Sequence, residues 1–403
     1  MGSAVYLDRI NSSEKQLFMT DFFNSGLSAE QFLQDYWQQK PLLFRQAFKR
    51  FQSPISADEL AGFACEEDVE SRLIRFQPPH SWSLQQGPFD EDDFSALPDN
   101  DWTLLVQDMD KHMPALAEIL DYFDFVPDWR LDDLMVSFAV KGGSVGPHTD
   151  SYDVFLLQAM GHREWSISAE AMPDVDCLAG SDLKVIADFE VGERWILEPG
   201  DMLYLPPHYA HHGIALDDCM TFSVGFRSPD ELEIMDAMLE EMYQRDGVSQ
   251  HYVDASRPLS QQRFAMSEQD ITAIKAFFQA RLDSQSELFS TAVCRLLTRP
   301  KAVLEVHAQN WLAEEGQDSA SASPDQQLRR NPYLRALWHI VKDEVQLYIA
   351  GEAYHLPLQA QEQLASVLAM SVIEFDQYQH ICRTAEGSAS MEILIQAGLF
   401  AWK

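Results

Sequence analysis

Residues 147–150 read PHTD and place a histidine, His148, two positions before a carboxylate, Asp150. Side chains at positions i and i+2 of a β-strand point to the same side of the strand. An imidazole nitrogen and a carboxylate oxygen can therefore meet at one cation here. Because a single H-x-D pair occurs by chance in many chains, the interpretation as a metal site requires a third ligand from another part of the sequence.

Candidates for the third ligand lie in residues 200–213, GDMLYLPPHYAHHG, which predict a turn, a strand and a second turn. His211 follows Pro206 by five positions and is the favoured ligand. His208 and His212 compete with it, although His208 would lie in the tight turn and His212 on the opposite face of the strand. Two histidines and one carboxylate leave one face of an octahedral ion open, as in non-haem iron(II) oxygenases. The alternative is that these are ordinary turn histidines.

An iron(II) oxygenase that uses 2-oxoglutarate as its co-substrate also needs a cation for the distal carboxylate of that molecule. Arg163, in the segment GHREW one strand after the H-x-D pair, is the natural candidate, since a guanidinium group binds a carboxylate through two parallel hydrogen bonds. The competing interpretation is a surface arginine on a hairpin. Ser137, which faces the same way as Ala139 on the strand leading to the pair, could add a hydroxyl contact.

Short segments rich in β-branched and aromatic residues surround these candidates, and glycine and proline separate them. These segments are residues 134–140, 152–158, 164–168, 194–198, 202–205 and 221–226. Many short strands at fairly even spacing predict an antiparallel sandwich or barrel.

The N-terminal region predicts helices before this β-rich part. Residues 28–40 and 56–64 each begin at a serine that can act as an N-cap, and the first has apolar residues at helical spacing. The segment PLLF, which starts at Pro41, reads as extended. Residues 77–101 are acidic and rich in turn-forming residues.

The C-terminal part is predominantly helical in its pattern. Residues 229–300 carry apolar residues at steps of three and four and predict an all-α module. Residues 315–327 are poor in apolar residues, which is typical of a flexible linker. Beyond them LRALWHIVKD predicts a helix, QLYIAGEAYHLP a hairpin, QEQLASVLAM a helix and MEILIQAGLFAWK a terminal strand-like piece. This order is compatible with a winged-helix module over residues 301–403.

The composition limits the partners. With 29 basic and 64 acidic residues the net charge is −35, which repels nucleic acids and anionic membranes and favours either high solubility or a basic protein partner. The five cysteines are scattered without a C-x-x-C pair, which indicates a reducing compartment. We see no signal peptide and no apolar run near the ~18 residues of a membrane span. We therefore expect a cytoplasmic protein without direct DNA binding or membrane contact.

Three runs of the sequence closely resemble the bacterial ribosomal oxygenases: LDDLMVSFAVKGGSVGPHTDSYDVFLLQAMGHREW, LEPGDMLYLPPHYAHHGIAL and FSVGFRSP. Members of this family are Jumonji-C-type, cupin-fold protein hydroxylases that depend on iron(II) and 2-oxoglutarate. The N-terminal segment YWQQKPLLF resembles the same family, as does the order of the three predicted regions. One departure is His208, because the turn of cupin-type proteins usually has glycine there.

The resemblance implies an architecture. Residues 1–228 would form a mainly β catalytic domain, a cupin-like double-stranded β-helix or jelly roll. Residues 229–300 would form an all-α module that mediates homodimerisation. Residues 301–403 would form a winged-helix-like α+β domain.

The resemblance also implies a chemistry and a site. Iron(II) would be bound by His148, Asp150 and His211, and the co-substrate 2-oxoglutarate by Arg163 and Ser137, with O₂ as the oxidant. The substrate would be a basic protein of the large ribosomal subunit, its sixteenth, hydroxylated at the β-carbon of an arginine. The alternatives are the same chemistry on a histidine of another ribosomal protein, lysine demethylation, and a metal-binding cupin that acts as a sensor without turnover.

Overall fold

The structure is a computed structural model that describes residues 21–77, 81–173, 175, 183–186, 188–245, 250–255, 264–315 and 326–403. The chain divides after Ser228 into two compact units. Most of the linker predicted at residues 315–327 lies outside the described residues, as do residues 1–20, for which we expected no signal peptide. The further division expected after residue 300 stays a prediction.

The first unit is built mainly from short antiparallel strands. In chain order they are β1 (Leu42–Phe44), β2 (Ser71–Gln77), β3 (Ser81–Gln86), β4 (Trp102–Val106), β5 (Leu131–Ala139), β6 (Val154–Met160), β7 (Arg163–Ala171), β8 (Val191–Leu197), β9 (Met202–Leu205), β10 (Tyr209–Ala215) and β11 (Cys219–Phe226). The larger sheet has the order β1-β9-β6-β11-β5-β4-β2-β3, and the smaller sheet has the order β10-β7-β8. All six strands predicted for the β-rich region are present within these elements.

The chain between β5 and β11 winds back and forth between the two sheets. Strands β5, β6, β9 and β11 belong to the larger sheet, and β7, β8 and β10 belong to the smaller one. His148 adds an isolated antiparallel bridge to His211 at the open edge of the smaller sheet. This winding is a double-stranded β-helix, so the predicted sandwich or barrel and its cupin-like form are confirmed.

Alternation along β6 explains why this strand is apolar on both faces. Val154 and Leu156 point toward the smaller sheet, where they pack with side chains of β7 such as Ile167. Phe155 and Leu157 point the opposite way, into a core formed with the N-terminal region. Because successive side chains of a strand alternate between faces, a strand that is buried on both sides must be apolar throughout.

Helices of the first unit cover the outer face of the larger sheet. They are α1 (Ala29–Asp35), α2 (Ala57–Ala64), α3 (Glu91–Ser95), α4 (Met109–His112) and α5 (Pro114–Leu120). Ser28 and Ser56 cap α1 and α2 through capping boxes with Gln31 and Glu59, as predicted. Helix α1 ends five residues earlier than its pattern suggested.

The region read as turn-rich, residues 77–101, is more ordered than predicted. It contains β3 and the short helix α3, and Asp90 caps that helix by accepting a hydrogen bond from the amide of Asp93. The acidic residues that suggested a loop therefore stabilise a helix N-terminus, where negative charge is favourable. Strand β3 is an edge strand of the larger sheet, and its exposed, mainly polar side chains did not predict a strand.

A buried carboxylate joins the N-terminal region to the larger sheet. Asp153 is fully buried and accepts hydrogen bonds from the Tyr204 hydroxyl at 2.6 Å, the Gln38 amide at 2.9 Å and the Arg130 guanidinium at 3.1 Å. Burial raises the pKa of Asp153, while the two hydrogen bonds and the charge of Arg130 act in the opposite direction. The network ties the start of β6, three residues after Asp150, to elements on the outer face of the sheet.

Replacing Asp153 with alanine should lower the free energy of unfolding of the first unit by about 3–5 kcal/mol, because Arg130 and Tyr204 would lose a buried partner. Thermal and urea unfolding of the full chain would measure the loss. Asp217→Ala is the matched control, since Asp217 pairs with His162 on the surface with 51% of its side chain exposed and such pairs contribute little. Equal stability of the two variants would contradict this role of Asp153.

The second unit starts with helices and ends with a mixture of helices and short strands. Its helices are α6 (Glu231–Gln244), α7 (Glu268–Asp283), α8 (Ser286–Thr298), α9 (Ala302–Glu315), α10 (Gln361–Leu368), α11 (Phe375–Ile381) and α12 (Ala385–Gln396). Its strands are β12 (Gln327–Arg330), β13 (Ala336–Val341), β14 (Glu344–Ile349), β15 (Glu352–Pro357), β16 (Val372–Glu374) and β17 (Phe400–Trp402). The strands form two small sheets with the orders β16-β12-β17 and β13-β14-β15.

Two predictions for the C-terminal part are wrong in detail. The segment LRALWHIVKD is not a helix, because Ala336–Val341 pairs antiparallel with β14 as the first strand of a three-stranded meander. The terminal segment is helical up to Gln396, and only Phe400–Trp402 forms a strand. The helices α6 to α8 in residues 229–300 are present as predicted, whereas the winged-helix assignment stays a prediction.

None of the helices in the described ranges has the length and apolar character that a bilayer crossing requires.

Candidate metal and co-substrate site

Three of the predicted residues meet at one end of the double-stranded β-helix. The candidate ligand atoms of His148, Asp150 and His211 all lie within 4.8 Å of one another. An Asp150 carboxylate oxygen is 3.6 Å from Nε2 of His211 and 4.0 Å from Nε2 of His148. These atoms are close enough to share one metal ion, and two imidazoles with one carboxylate are the donor set of a facial triad.

The H-x-D pair is not on a regular strand, which differs from the prediction. Strand β5 ends at Ala139, and His148 lies in the following loop, where a single bridge to His211 fixes the backbone. The His148 amide donates to the His211 carbonyl at 3.1 Å, and the His211 amide donates to the His148 carbonyl at 2.9 Å. This reciprocal pairing brings residues 63 positions apart together and explains why their imidazoles converge.

Backbone carbonyls fix the orientation of both imidazole rings. Nδ1 of His148 lies 3.0 Å from the carbonyl oxygen of Gly146, and Nδ1 of His211 lies 2.9 Å from that of Tyr209. Because a carbonyl oxygen can only accept, each Nδ1 is the donor in its contact, and the neutral form of each ring would offer Nε2 to a metal. Outer hydrogen bonds of this kind orient metal-binding histidines.

Burial lowers the pKa of His211 to about 4, and the charge of His148 adds to the effect. A histidine with this pKa is neutral at pH 7 and can offer Nε2 to a metal. His148 and Asp150 are more accessible, with 24% and 20% of their side chains exposed, against 4% for His211. The site is therefore closed on the side of the smaller sheet and open on the side of the H-x-D loop.

The structure separates His211 from the two histidines that competed with it. His212 follows on the same strand and points to the other face, and it is not part of the cluster of possible ligands in the described residues. His208 occupies the turn before β10 with a φ of 68°, a left-handed conformation that favours glycine. The histidine at this turn therefore carries some backbone strain, and its amide donates to the carbonyl of Asp150 at 2.7 Å.

Arg163 lies inside the β-helix, not on a surface hairpin. Only 3% of the residue is exposed, and in the parts of the chain that the structure describes no carboxylate pairs with it. Its Nε is buried without a hydrogen-bond partner, and its Nη2 makes one long bond of 3.5 Å to the carbonyl of Gly213. Burial lowers the pKa of Arg163, and the neighbouring Cys219 acts in the opposite direction. A buried guanidinium with open donors is suited to bind an anion.

Ser137 is buried on the inner face of β5, and its hydroxyl donates to the carbonyl of Thr221 at 3.3 Å. Ala139, two residues further along the same face, packs with Ala215 and Cys219. Ala215 pairs with Arg163 across strands β10 and β7. Ser137 thus lies on the same inner face as Ala139, near the place where Arg163 is buried.

Two further residues, Trp165 and Gly213, line this site and were not predicted from the sequence. Trp165 is buried, its ring centroid is 5.8 Å from that of His211, and the guanidinium carbon of Arg163 is 5.1 Å from it. Gly213 is directly opposite Trp165 in the ladder between β10 and β7. The alternation on β7 could have placed Trp165 on the same face as Arg163, but the contact with Gly213 depends on the pairing register.

Comparisons with known proteins agree with this geometry. A model of the JmjC domain matches residues 118–234. The chain is 40% identical over 227 residues to the ribosomal protein uL16 3-hydroxylase of Escherichia coli, an alignment that covers 56% of this chain and 60% of that protein. The crystal structure of Escherichia coli ribosomal oxygenase YcfD superposes with a TM-score of 0.74 at 30% identity, covering 94% of this chain and 98% of that one. A second YcfD structure, in complex with cobalt and 2-oxoglutarate, has a TM-score of 0.73 at 29% identity with the same coverage.

The sequence alignment thus spans less than two thirds of the Escherichia coli uL16 3-hydroxylase. The structural similarity to YcfD extends over almost the whole of this chain and of YcfD. The similarity includes the segments that carry all five predicted site residues, since residues 137, 148, 150, 163 and 211 fall within the JmjC match. The chain belongs to the ribosomal oxygenases, a JmjC-domain family.

Proposed function

We propose that this protein is an iron(II)- and 2-oxoglutarate-dependent oxygenase that hydroxylates the ribosomal protein uL16. One observation carries the proposal: two imidazoles and a carboxylate converge inside the β-helix, and Trp165 is in contact range of both His211 and the buried Arg163, which has no carboxylate partner in the described residues. A metal and a dicarboxylate together would satisfy the three donors and Arg163. The similarity to a protein crystallised with cobalt and 2-oxoglutarate supports the same pair of ligands.

The residues present fit an iron(II) ion. His148 and His211 would each offer Nε2, and Asp150 would offer a carboxylate oxygen, which is a donor set that suits iron(II) and leaves positions open. When bound, the metal supplies the activation of O₂ that hydroxylation of an unactivated C–H bond requires. The carbonyls of Gly146 and Tyr209 hold the two rings in place, and the inner apolar side chains limit access of water.

The residues around Arg163 fit the co-substrate. Arg163 would donate two parallel hydrogen bonds to the distal carboxylate of 2-oxoglutarate, and the Ser137 hydroxyl would add a further contact. Such charge-assisted bonds are strong in a buried site. The side chains of Ala139, Ala215 and Cys219, which pack together beside Arg163, are all small.

The entrance to the site favours a cationic substrate. The phenol of Tyr152 lies two residues after Asp150 and is 41% exposed. Its pKa is raised by the charge of Asp150 first, then by burial, and further by Asp133 and Asp132, with Arg72 acting in the opposite direction. The carboxylates of Asp132 and Asp133 near this side chain and the net charge of −35 support attraction of a basic ribosomal protein. The Escherichia coli relative is a uL16 3-hydroxylase, which supports the β-carbon, and we propose an arginine as the hydroxylated residue.

The first helices of the second unit expose apolar side chains that a second copy of the chain could cover. These are Leu232, Met235, Leu239, Ile271, Ile274 and Phe278. We propose that residues 229–300 mediate a homodimer and that residues 301–403 form a winged-helix-like domain that contacts protein and not DNA. The acidity of the chain supports the lack of DNA binding, and its scattered cysteines support a cytoplasmic site of action.

Incubation of the protein with iron(II), 2-oxoglutarate, O₂ and purified uL16 should add one oxygen atom to an arginine of uL16. Tandem mass spectrometry of the digested substrate would locate the oxygen, and succinate formation would be measured in parallel. Omission of each component in turn is the control. Oxygen on a histidine of another ribosomal protein, or loss of a methyl group from lysine, would contradict the arginine assignment. If the protein bound metal but showed no turnover, the result would favour the alternative of a metal-binding cupin that acts as a sensor.

A further inference from the structure

In the described residues, the contacts of the buried Arg163 guanidinium do not include an ion pair. Buried charges in proteins are normally paired with an opposite charge. In the described parts of the chain Arg163 has no carboxylate within ion-pair distance, and its single protein hydrogen bond is the 3.5 Å contact to the carbonyl of Gly213. The neighbouring Cys219 is not a counter-ion, because burial raises the pKa of its thiol.

An indole ring takes the place where a counter-ion would be expected. The guanidinium carbon of Arg163 lies 5.1 Å from the ring centroid of Trp165, within the range of a cation–π contact. The two residues are two positions apart on β7 and therefore share the inner face of the sheet. Only 4% of Trp165 is exposed, so this contact is protected from water and from salt screening.

The contact between Arg163 and Trp165 is possible because residue 213 is glycine and has no side chain. A Cβ atom at position 213 would lie 2.7 Å from two carbons of the Trp165 ring and 2.8 Å from Nε of Arg163. The ring and the guanidinium thus both occupy space that any other residue would fill. Trp165, Arg163 and Gly213 form one packed group, in which the strand register presents the glycine opposite the tryptophan.

The same indole also reaches the metal-ligand candidates. Its centroid is 5.8 Å from that of His211, so the ring is near both the metal-ligand candidates and Arg163. Nε1 of Trp165 and Nε of Arg163 are both buried donors without a protein acceptor in the described residues. Two such donors on neighbouring side chains suit an anionic, oxygen-rich ligand.

We propose that Trp165 is a positioning residue that holds the Arg163 guanidinium against Gly213 in place of a counter-ion and thereby sets the affinity for 2-oxoglutarate. A carboxylate at this position would compete with the distal carboxylate of the co-substrate for the same donors. The π face attracts the cation without accepting its hydrogen bonds, so the donors stay open. This inference rests on the proposed function, because it concerns the same co-substrate.

The test is the dissociation constant of 2-oxoglutarate, measured by anaerobic titration calorimetry on the full chain loaded with manganese(II). Trp165→Leu should weaken binding roughly tenfold, which corresponds to about 1.4 kcal/mol. Trp165→Phe, which keeps an aromatic face, should recover most of the affinity. Gly213→Ala, which pushes on both partners, should weaken binding in the same direction. Manganese affinity, measured separately, should change much less than the affinity for 2-oxoglutarate in all three, since none of them removes a ligand or a hydrogen bond that orients one.

Trp195→Leu is the matched control. Trp195 is directly opposite Trp165 on β8, packs in the same apolar cluster and loses the same indole on substitution. Equal weakening by Trp195→Leu and Trp165→Leu would overturn the inference, since it would indicate general loosening of the sheet. A wild-type affinity in both Trp165→Leu and Gly213→Ala would overturn it as well. A wild-type protein that binds manganese but not 2-oxoglutarate would overturn the proposed function, and this inference with it.

Discussion

Replacing His148 with alanine should abolish stoichiometric metal binding and all turnover that depends on it. His148 is one of three convergent donors, and the contact between its Nδ1 and the Gly146 carbonyl orients the ring so that Nε2 faces the other two. Loss of a partner that only orients a ligand already costs metal sites roughly 10–100-fold in affinity or activity. Removal of a ligand itself should therefore exceed that range.

Equilibrium dialysis against iron(II) or cobalt(II) under argon, followed by elemental analysis, would measure the metal bound per chain. Succinate formation with and without uL16 would give the activity. His212→Ala is the matched control, because His212 adjoins His211 in sequence and lies outside the cluster of possible ligands in the described residues. If His212→Ala lost the metal and His148→Ala retained it, the ligand assignment would be wrong.

Replacing Arg163 with methionine should raise the KM for 2-oxoglutarate by about 100-fold or more while leaving metal binding intact. Methionine keeps much of the unbranched stem and removes the charged donors. Hydrogen bonds to charged groups contribute about 1.5–3 kcal/mol each, and two of them would be lost. The effect should fall on co-substrate binding, because Arg163 is not among the metal-ligand candidates.

The thermal stability of the same variant tests whether Arg163 has a binding role or a structural one. Because Arg163 is buried without a carboxylate partner in the described structure, its charge costs folding free energy. The methionine variant should therefore unfold at the same or a higher temperature than wild type. Arg194→Met is the control, since Arg194 is 60% exposed on the same sheet and pairs with Glu164 at 3.7 Å. A variant that is destabilised and binds 2-oxoglutarate normally would show that Arg163 is structural.

Local patterns explain which parts of the fold were predictable. The capping boxes at Ser28 and Ser56 lie within four residues of sequence, so the helices that they start could be identified from neighbouring residues alone. The apolar run of β6 predicted a buried strand for the same reason. The helix predicted for LRALWHIVKD is wrong because short apolar stretches suit both a helix and a strand. The pairing of this segment with β14 makes it a strand.

The candidate site divides in the same way. The close pair His148 and Asp150, a histidine near position 211 and an arginine one strand after the pair could all be predicted from the sequence. Three features required contacts that the sequence does not reveal: the bridge that joins His211 to His148, the burial of Arg163 without a carboxylate partner in the described residues, and the register that places Gly213 opposite Trp165. Donor types and short spacings are local properties, whereas burial and strand register depend on contacts between residues far apart in the chain.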